Sequence, residues 1–137
     1  MKYYHKDIRI RYAETDQMGV CYYGNYFVWF EVSRTEYFRE LGFPYTEYEK
    51  KGIFLPVGEA YCRYHKSLKY DDLITVTVWI SKLKRTSMQF SYIITKKGEK
   101  EPVAEGHTTH VFVNRDMKPC RIPEEIRKNI TVVEGVK

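Results

Sequence analysis

The sequence predicts an α+β domain in which one long helix is wrapped by a curved antiparallel sheet of about five strands. Three observations carry this. Asn25 to Leu41 reads as a helix whose first turns, Tyr26-Phe27-Val28-Trp29-Phe30, are apolar on every side, so other elements must cover it. Leu73–Leu83, Met88–Thr95 and Val103–Asn114 alternate at the two-residue period of half-buried strands. The connections Lys84-Arg85-Thr86 and Gly98-Glu99-Lys100 are too short for anything but antiparallel neighbours.

In chain order, Tyr3 to Arg11 alternates weakly and ends Ile8-Arg9-Ile10-Arg11, a first strand. In the helix that follows, Asn25 serves as N-cap, Gly42 as the stop and Pro44 as the barrier to continuation. Its second half is amphipathic, with Tyr37, Phe38 and Leu41 set against Arg34, Glu36, Arg39 and Glu40. Pro44 to Lys51 suits a short second helix. Ile53 to Leu68 holds strand-like runs at Phe54-Leu55-Pro56-Val57 and Ala60-Tyr61-Cys62-Arg63-Tyr64. In the third strand Ile74, Val76, Val78 and Ile80 share one face, and Trp79 is the apolar exception on the other. Met88, Phe90, Tyr92 and Ile94 line one side of the fourth. The last strand places Val103, His107, Thr109, Val111 and Val113 opposite Ala104, His110 and Phe112. Trp79 and Phe112 are then apolar residues on the face the helix leaves bare, and predict association with further subunits. Pro123 to Asn129 closes the chain with a helical turn.

A chain of 137 residues makes one domain over 1–137, large enough to bury about two-thirds of its unfolded surface. Its 43% hydrophobic and 16% aromatic content excludes a disordered chain. A net charge of +5 leaves two readings open: a solvated surface, because Lys and Arg interleave with Glu, or a phosphate-bearing small ligand. No basic run reads as a nucleic-acid arm. Cys21, Cys62 and Cys120 are odd in number and far apart, which excludes a disulfide framework and a zinc motif and points to a reducing cytoplasm. The N-terminus has no apolar leader core, and no stretch approaches the roughly 18 apolar residues of a membrane span.

The chemistry concentrates in the connection from Tyr12 to Tyr26. It is long, rich in aromatics and therefore neither a tight turn nor a disordered linker. Asp16 lies in it, and Gly19 and Gly24 let the backbone turn into the helix. A carboxylate beside a helix N-terminus pairs a base or nucleophile with backbone N–H donors, the parts that acyl transfer needs. Taken alone, Asp16 reads more readily as a loop residue capping its own turn, because carboxylates are common in loops. Cys21 follows apolar Val20 with no histidine close in sequence and reads as a small hydrophobe. His107 and His110, three apart in a strand, point to opposite faces and are no metal pair.

Arg11 to Gly42, with Glu14-Thr15-Asp16-Gln17-Met18-Gly19-Val20 and Asn25-Tyr26, resembles the hotdog-fold acyl-CoA thioesterases. The resemblance is to the 4-hydroxybenzoyl-CoA thioesterase-like group, including the Tol–Pal-associated acyl-CoA thioesterases, and it covers nearly the whole chain. It implies the hotdog fold and hydrolysis of an acyl-CoA thioester to a carboxylate and free CoA. It places catalysis on Asp16 as general base or nucleophile, and an oxyanion donor on the backbone amide of Tyr23, with Tyr22 or Gly24 one register away. It assigns the CoA phosphates to the basic connection Lys82, Lys84, Arg85, Thr86 and Ser87; the bare alternative is a charged hairpin that keeps an edge soluble. Many members carry histidine where this chain has Tyr22 and Tyr23, which bears on the acyl group and not on the chemistry. The implied enzyme needs no cofactor or metal, since coenzyme A is part of the substrate, and works as a homodimer or homotetramer with sites between subunits. Glu14, two residues from Asp16, is expected to serve a turn or an intersubunit hydrogen bond.

Two other functions compete. A hotdog dehydratase resembles a site with histidine and a carboxylate on the central helix, and Asn25 to Leu41 has no histidine. A non-catalytic module that binds acyl-CoA or a protein would not need Asp16.

Overall fold

The computed structural model describes residues 2–133; the outermost residues of the 1–137 assignment lie outside these. Five strands, β1 (Tyr3–Arg9), β2 (Val57–Tyr64), β3 (Leu73–Leu83), β4 (Ser87–Lys96) and β5 (Pro102–Val111), form one antiparallel sheet in the order β1-β3-β4-β5-β2. Helix α1 (Asn25–Glu40) lies across its concave face, with short helices α2 (Tyr45–Lys50) and α3 (Glu124–Asn129) beyond it.

Helical periodicity decides which face of α1 is buried. Tyr26, Trp29, Phe30, Ser33, Arg34, Tyr37 and Phe38 recur at three- and four-residue intervals and all lie inside. Opposite them stand Ile74, Val76, Val78 and Ile80 of β3, and Met88, Phe90, Tyr92 and Ile94 of β4. The Phe30 and Tyr92 rings stack with centroids 4.1 Å apart and planes 8° from parallel. Gly106, paired with Tyr92 in the β4–β5 register, permits this approach. A Cβ there would lie 2.2 Å from the Tyr61 carbonyl oxygen and 2.9 Å from the Phe30 ring. The helix ends in a Schellman motif: Gly42 N–H donates to the Arg39 carbonyl and Phe43 N–H to that of Phe38. The Phe43 and Phe38 rings meet edge to face across that turn, so the cap is apolar as well as hydrogen-bonded.

Four expectations need correction. Asn25 does not cap α1; Gly24 holds that position, because the Asn25 side-chain amide is drawn back to the Glu14 carbonyl at 2.8 Å. The helix start is not covered all round, since Val28 faces solvent. Arg34 is not on the solvent side: it is only 8% exposed, with one terminal N–H reaching the Tyr92 hydroxyl of β4 at 3.5 Å. Phe112 and Trp79 are not bare. Phe112 is on the helix side and fully buried, while Trp79, on the outer face, is covered by its cross-strand neighbour Tyr3 with ring centroids 5.6 Å apart. The large apolar residues left exposed near one edge are Val28 and Val32 of α1 and Val57, Tyr61 and Tyr64 of β2.

Candidate active site

The loop between β1 and α1 begins with a single 3₁₀ turn, Tyr12–Glu14, and then closes on itself. Asp16 N–H donates to the Val20 carbonyl at 2.9 Å, and Gly19 N–H to that of Asp16 at 3.0 Å. Gly19 takes φ 80°, a backbone state that side chains strain to adopt. The Asp16 carboxylate is half-buried, and its Oδ1 accepts the Met18 N–H at 2.8 Å. That bond fixes the carboxylate's direction and leaves Oδ2 without a protein partner among the described residues.

Three tethers hold this loop. Cys21 N–H donates to the Leu68 carbonyl at 2.8 Å, and Tyr22 N–H to that of Glu14 at 2.9 Å. The third is Glu14 itself, an acidic residue only 5% exposed. Its Oε2 accepts the Trp29 indole N–H at 2.9 Å and its Oε1 the Arg11 N–H at 2.8 Å. Glu14 therefore serves a turn, as expected, by closing the 3₁₀ turn through the Arg11 N–H, and it also joins the loop to the second turn of α1.

At the helix entrance, Tyr22 N–H is already committed to Glu14. Among the described residues the N–H groups of Tyr23 and Gly24 donate no hydrogen bond, as expected of donors just ahead of a helix. Tyr22 and Tyr23 are exposed, their rings 4.6 Å apart, and Tyr64 of β2 donates its hydroxyl proton to the Tyr23 carbonyl at 3.0 Å. A cleft of about 320 Å³ opens here, lined by Cys21, Tyr23, Tyr26, Tyr64, His65 and Lys66 with Ser67. Burial pushes the Cys21 thiol up to about 11, which leaves it protonated and unreactive near neutral pH.

The basic connection lies elsewhere. Lys82, Lys84 and Arg85 are exposed, Thr86 and Ser87 partly so, at the β3–β4 turn. The Asp16 loop is tied to Leu68, and Ile10 to Asp72, both just before β3 begins. Eleven residues of β3 separate these ends, roughly 30 Å of strand. One chain thus does not bring Asp16 and the basic turn together. Lys82 and Lys84 line a cleft of about 370 Å³ with Gly58, Glu59, Gln89 and Thr109; Arg85 does not. The Lys84 and Arg85 carbonyls accept the Arg127 guanidinium, which pins the turn's shape.

His107 and His110 separate as expected. His107, on the outer face, contacts Glu59 at 2.8 Å, whereas His110 is buried against Thr108 and the Leu55 carbonyl. Among the described residues no group of three or more His, Cys, Asp or Glu could hold a metal ion, and no helix is long and apolar enough to cross a membrane.

A curved five-stranded antiparallel sheet around one helix, entered through an Asp-bearing loop, defines a hotdog-fold protein. The chain belongs to the thioesterase-like superfamily, whose model matches residues 10–130, and within it to the 4-hydroxybenzoyl-CoA thioesterase-like group. It is 39% identical to the Bacillus subtilis protein YneP over 134 residues, covering 96% of each chain. It is 30% identical to the acyl-CoA thioesterase YbgC of Haemophilus influenzae, covering 88% of each. The crystal structure of a DHNA-CoA thioesterase from Staphylococcus aureus superposes with a TM-score of 0.89 at 34% identity, over 98% of this chain and 99% of that one.

Proposed function

We propose that this protein hydrolyses an acyl-CoA thioester to the carboxylate and free CoA, with Asp16 as the catalytic carboxylate. Two observations on one connection carry the reading: the Asp16 carboxylate keeps Oδ2 free, and the N–H groups of Tyr23 and Gly24 at the entrance of α1 stay uncommitted, among the described residues of a chain whose relatives are acyl-CoA thioesterases. Asp16 activates water or attacks the thioester carbonyl; either route needs one carboxylate fixed by its neighbours. The oxyanion is received by the Tyr23 or Gly24 amide, because that of Tyr22 is occupied. The departing thiol has a pKa near 8.5, so its expulsion asks little of a general acid.

Lys82, Lys84 and Arg85, with Thr86 and Ser87, receive the CoA phosphates from a second copy of the chain. The roughly 30 Å of β3 between the tethers of the Asp16 loop and this turn within one chain supports that reading. So does the exposed β2 edge with Val57, Tyr61 and Tyr64 on it, which a two-fold partner would pair and cover. The two-fold inverts the partner's β3, bringing its basic turn to the level of the first chain's Asp16. The working unit is a dimer or a dimer of dimers in the cytoplasm.

The test is a panel of short, long and aromatic acyl-CoAs assayed for released thiol with a thiol-reactive dye. Turnover of at least one is expected; intact thioesters throughout, with acyl-CoA still bound, would instead favour a binding module.

A further inference from the structure

Arg34 is a buried cation that the fold does not neutralise. It is 8% exposed, and among the described residues its Nε has no hydrogen-bond partner and it forms no ion pair. One terminal N–H reaches the Tyr92 hydroxyl at 3.5 Å. From there the bonds run one way. Burial, and then the nearby Arg34 charge, hold His110 neutral, with its pKa lowered to about 4. Its Nδ1–H donates to the Leu55 carbonyl at 3.1 Å, which leaves Nε2 to accept from the Thr108 hydroxyl at 2.9 Å. Thr108 then accepts from Tyr92 at 2.6 Å, and Tyr92 from Arg34. This chain uses one of the five guanidinium N–H groups and supplies no negative charge. A buried guanidinium without a counter-charge destabilises the fold that holds it.

Arg34 also lines a slot of about 210 Å³ between α1 and β2, with Phe27, Val28, Val57, Ala60 and Thr108. Glu31 lines it too, but from an exposed position and out of ion-pair reach of Arg34. The slot is apolar along its length and polar at Arg34 and Thr108. It follows the same helix–strand seam as the catalytic loop: Tyr26 of α1 and Tyr64 of β2 line the cleft beside Tyr23. From Asn25 to Arg34 the helix advances roughly 14 Å, and from Ala60 to Tyr64 β2 covers roughly 13 Å. That is the reach of a medium-length acyl chain whose thioester sits at the Asp16 loop.

We infer that Arg34 is a specificity-determining residue that receives a carboxylate at the far end of the acyl group, so that the preferred substrates are CoA thioesters of dicarboxylic acids. The inference rests on the thioesterase reading for its catalytic half only. A carboxylate meets the guanidinium fork with two N–H groups at once and supplies the missing charge.

The test compares decanedioyl-CoA, the mono-thioester, with decanoyl-CoA, which differs only at the chain end. Wild-type kcat/KM is expected to favour the carboxylate-ended ester by about ten-fold or more. Arg34→Met should bring the ratio to one or below. Should Arg34→Met fail to fold, Arg34→Lys, which keeps the charge but loses the planar fork, should still lower the ratio several-fold. Calorimetric binding of both esters to Asp16→Asn protein reads the same preference without turnover. Selective binding with no hydrolysis by wild type would sink the thioesterase reading and uphold Arg34's role. Equal binding and equal kcat/KM for the two esters in wild type would overturn the inference.

Discussion

The Glu14 carboxylate accepts the Trp29 indole N–H at 2.9 Å in the interior, joining the Asp16 loop to helix α1. Asp16 is two residues from Glu14, and Tyr22, whose amide is bonded to the Glu14 carbonyl, is two from Gly24. One buried carboxylate thus ties together the segment that carries Asp16 and the segment that carries the amides proposed to receive the oxyanion.

Trp29→Phe keeps the ring but deletes the donor, leaving one oxygen of a buried carboxylate unpaired. Stability should fall by about 1.5–3 kcal/mol, the usual range for a hydrogen bond to a charged group. Urea unfolding followed by circular dichroism measures this. Activity should fall further than stability explains, with kcat reduced and KM for CoA esters nearly unchanged, because the residues proposed to hold CoA lie elsewhere. A variant with wild-type kcat would show that the tether does not position Asp16.

Lys84→Ala with Arg85→Ala should raise KM by about ten-fold and leave kcat nearly unchanged. The penalty should shrink as salt rises above about 0.1 M, where exposed charges are screened within roughly 10 Å. Because Asp16 and this turn lie at opposite ends of β3, the same variant also tests the shared site. Mixing Lys84→Ala/Arg85→Ala chains with Asp16→Asn chains, after unfolding and refolding together, should restore low-KM turnover. One site of each mixed dimer then has both parts intact. No recovery on mixing would place both parts of each site within a single chain.

His110 predicts the acid behaviour of the fold. Its folded pKa is about 4 against an ordinary 6.5, so the unfolded chain binds the extra proton between those values. Its contribution to stability is complete above about pH 6.5 and is lost as pH falls toward 4, amounting to about 2 kcal/mol by pH 5. His110→Gln, which keeps polarity without titrating, should flatten the urea midpoint between pH 7 and pH 5. An equally steep decline in the variant would assign the acid sensitivity to other groups.

Periodicity made β3 and β4 legible, because their buried faces are uniformly apolar. It served less well for β5, whose buried face carries Ala104, Thr108 and His110, which are inside because Tyr92 and Leu55 satisfy their polar atoms. Arg34 departs from pattern further still: a charge in an amphipathic helix reads as surface, and nothing local to the helix encodes its burial beside Tyr92 of β4. The Asp16 motif was readable because loop chemistry is local. That Lys84 and Arg85 stand a full strand away from Asp16 depends on strand order and register, which no local pattern encodes.

The central claim, that Asp16 is the catalytic carboxylate of a thioester hydrolase, is tested most directly by Asp16→Asn, which removes the charge and keeps the shape. With an acyl-CoA that the wild type turns over, kcat should fall by roughly 10²-fold or more, while circular dichroism and acyl-CoA binding stay unchanged. Turnover near the wild-type rate in a correctly folded Asp16→Asn protein would contradict the claim.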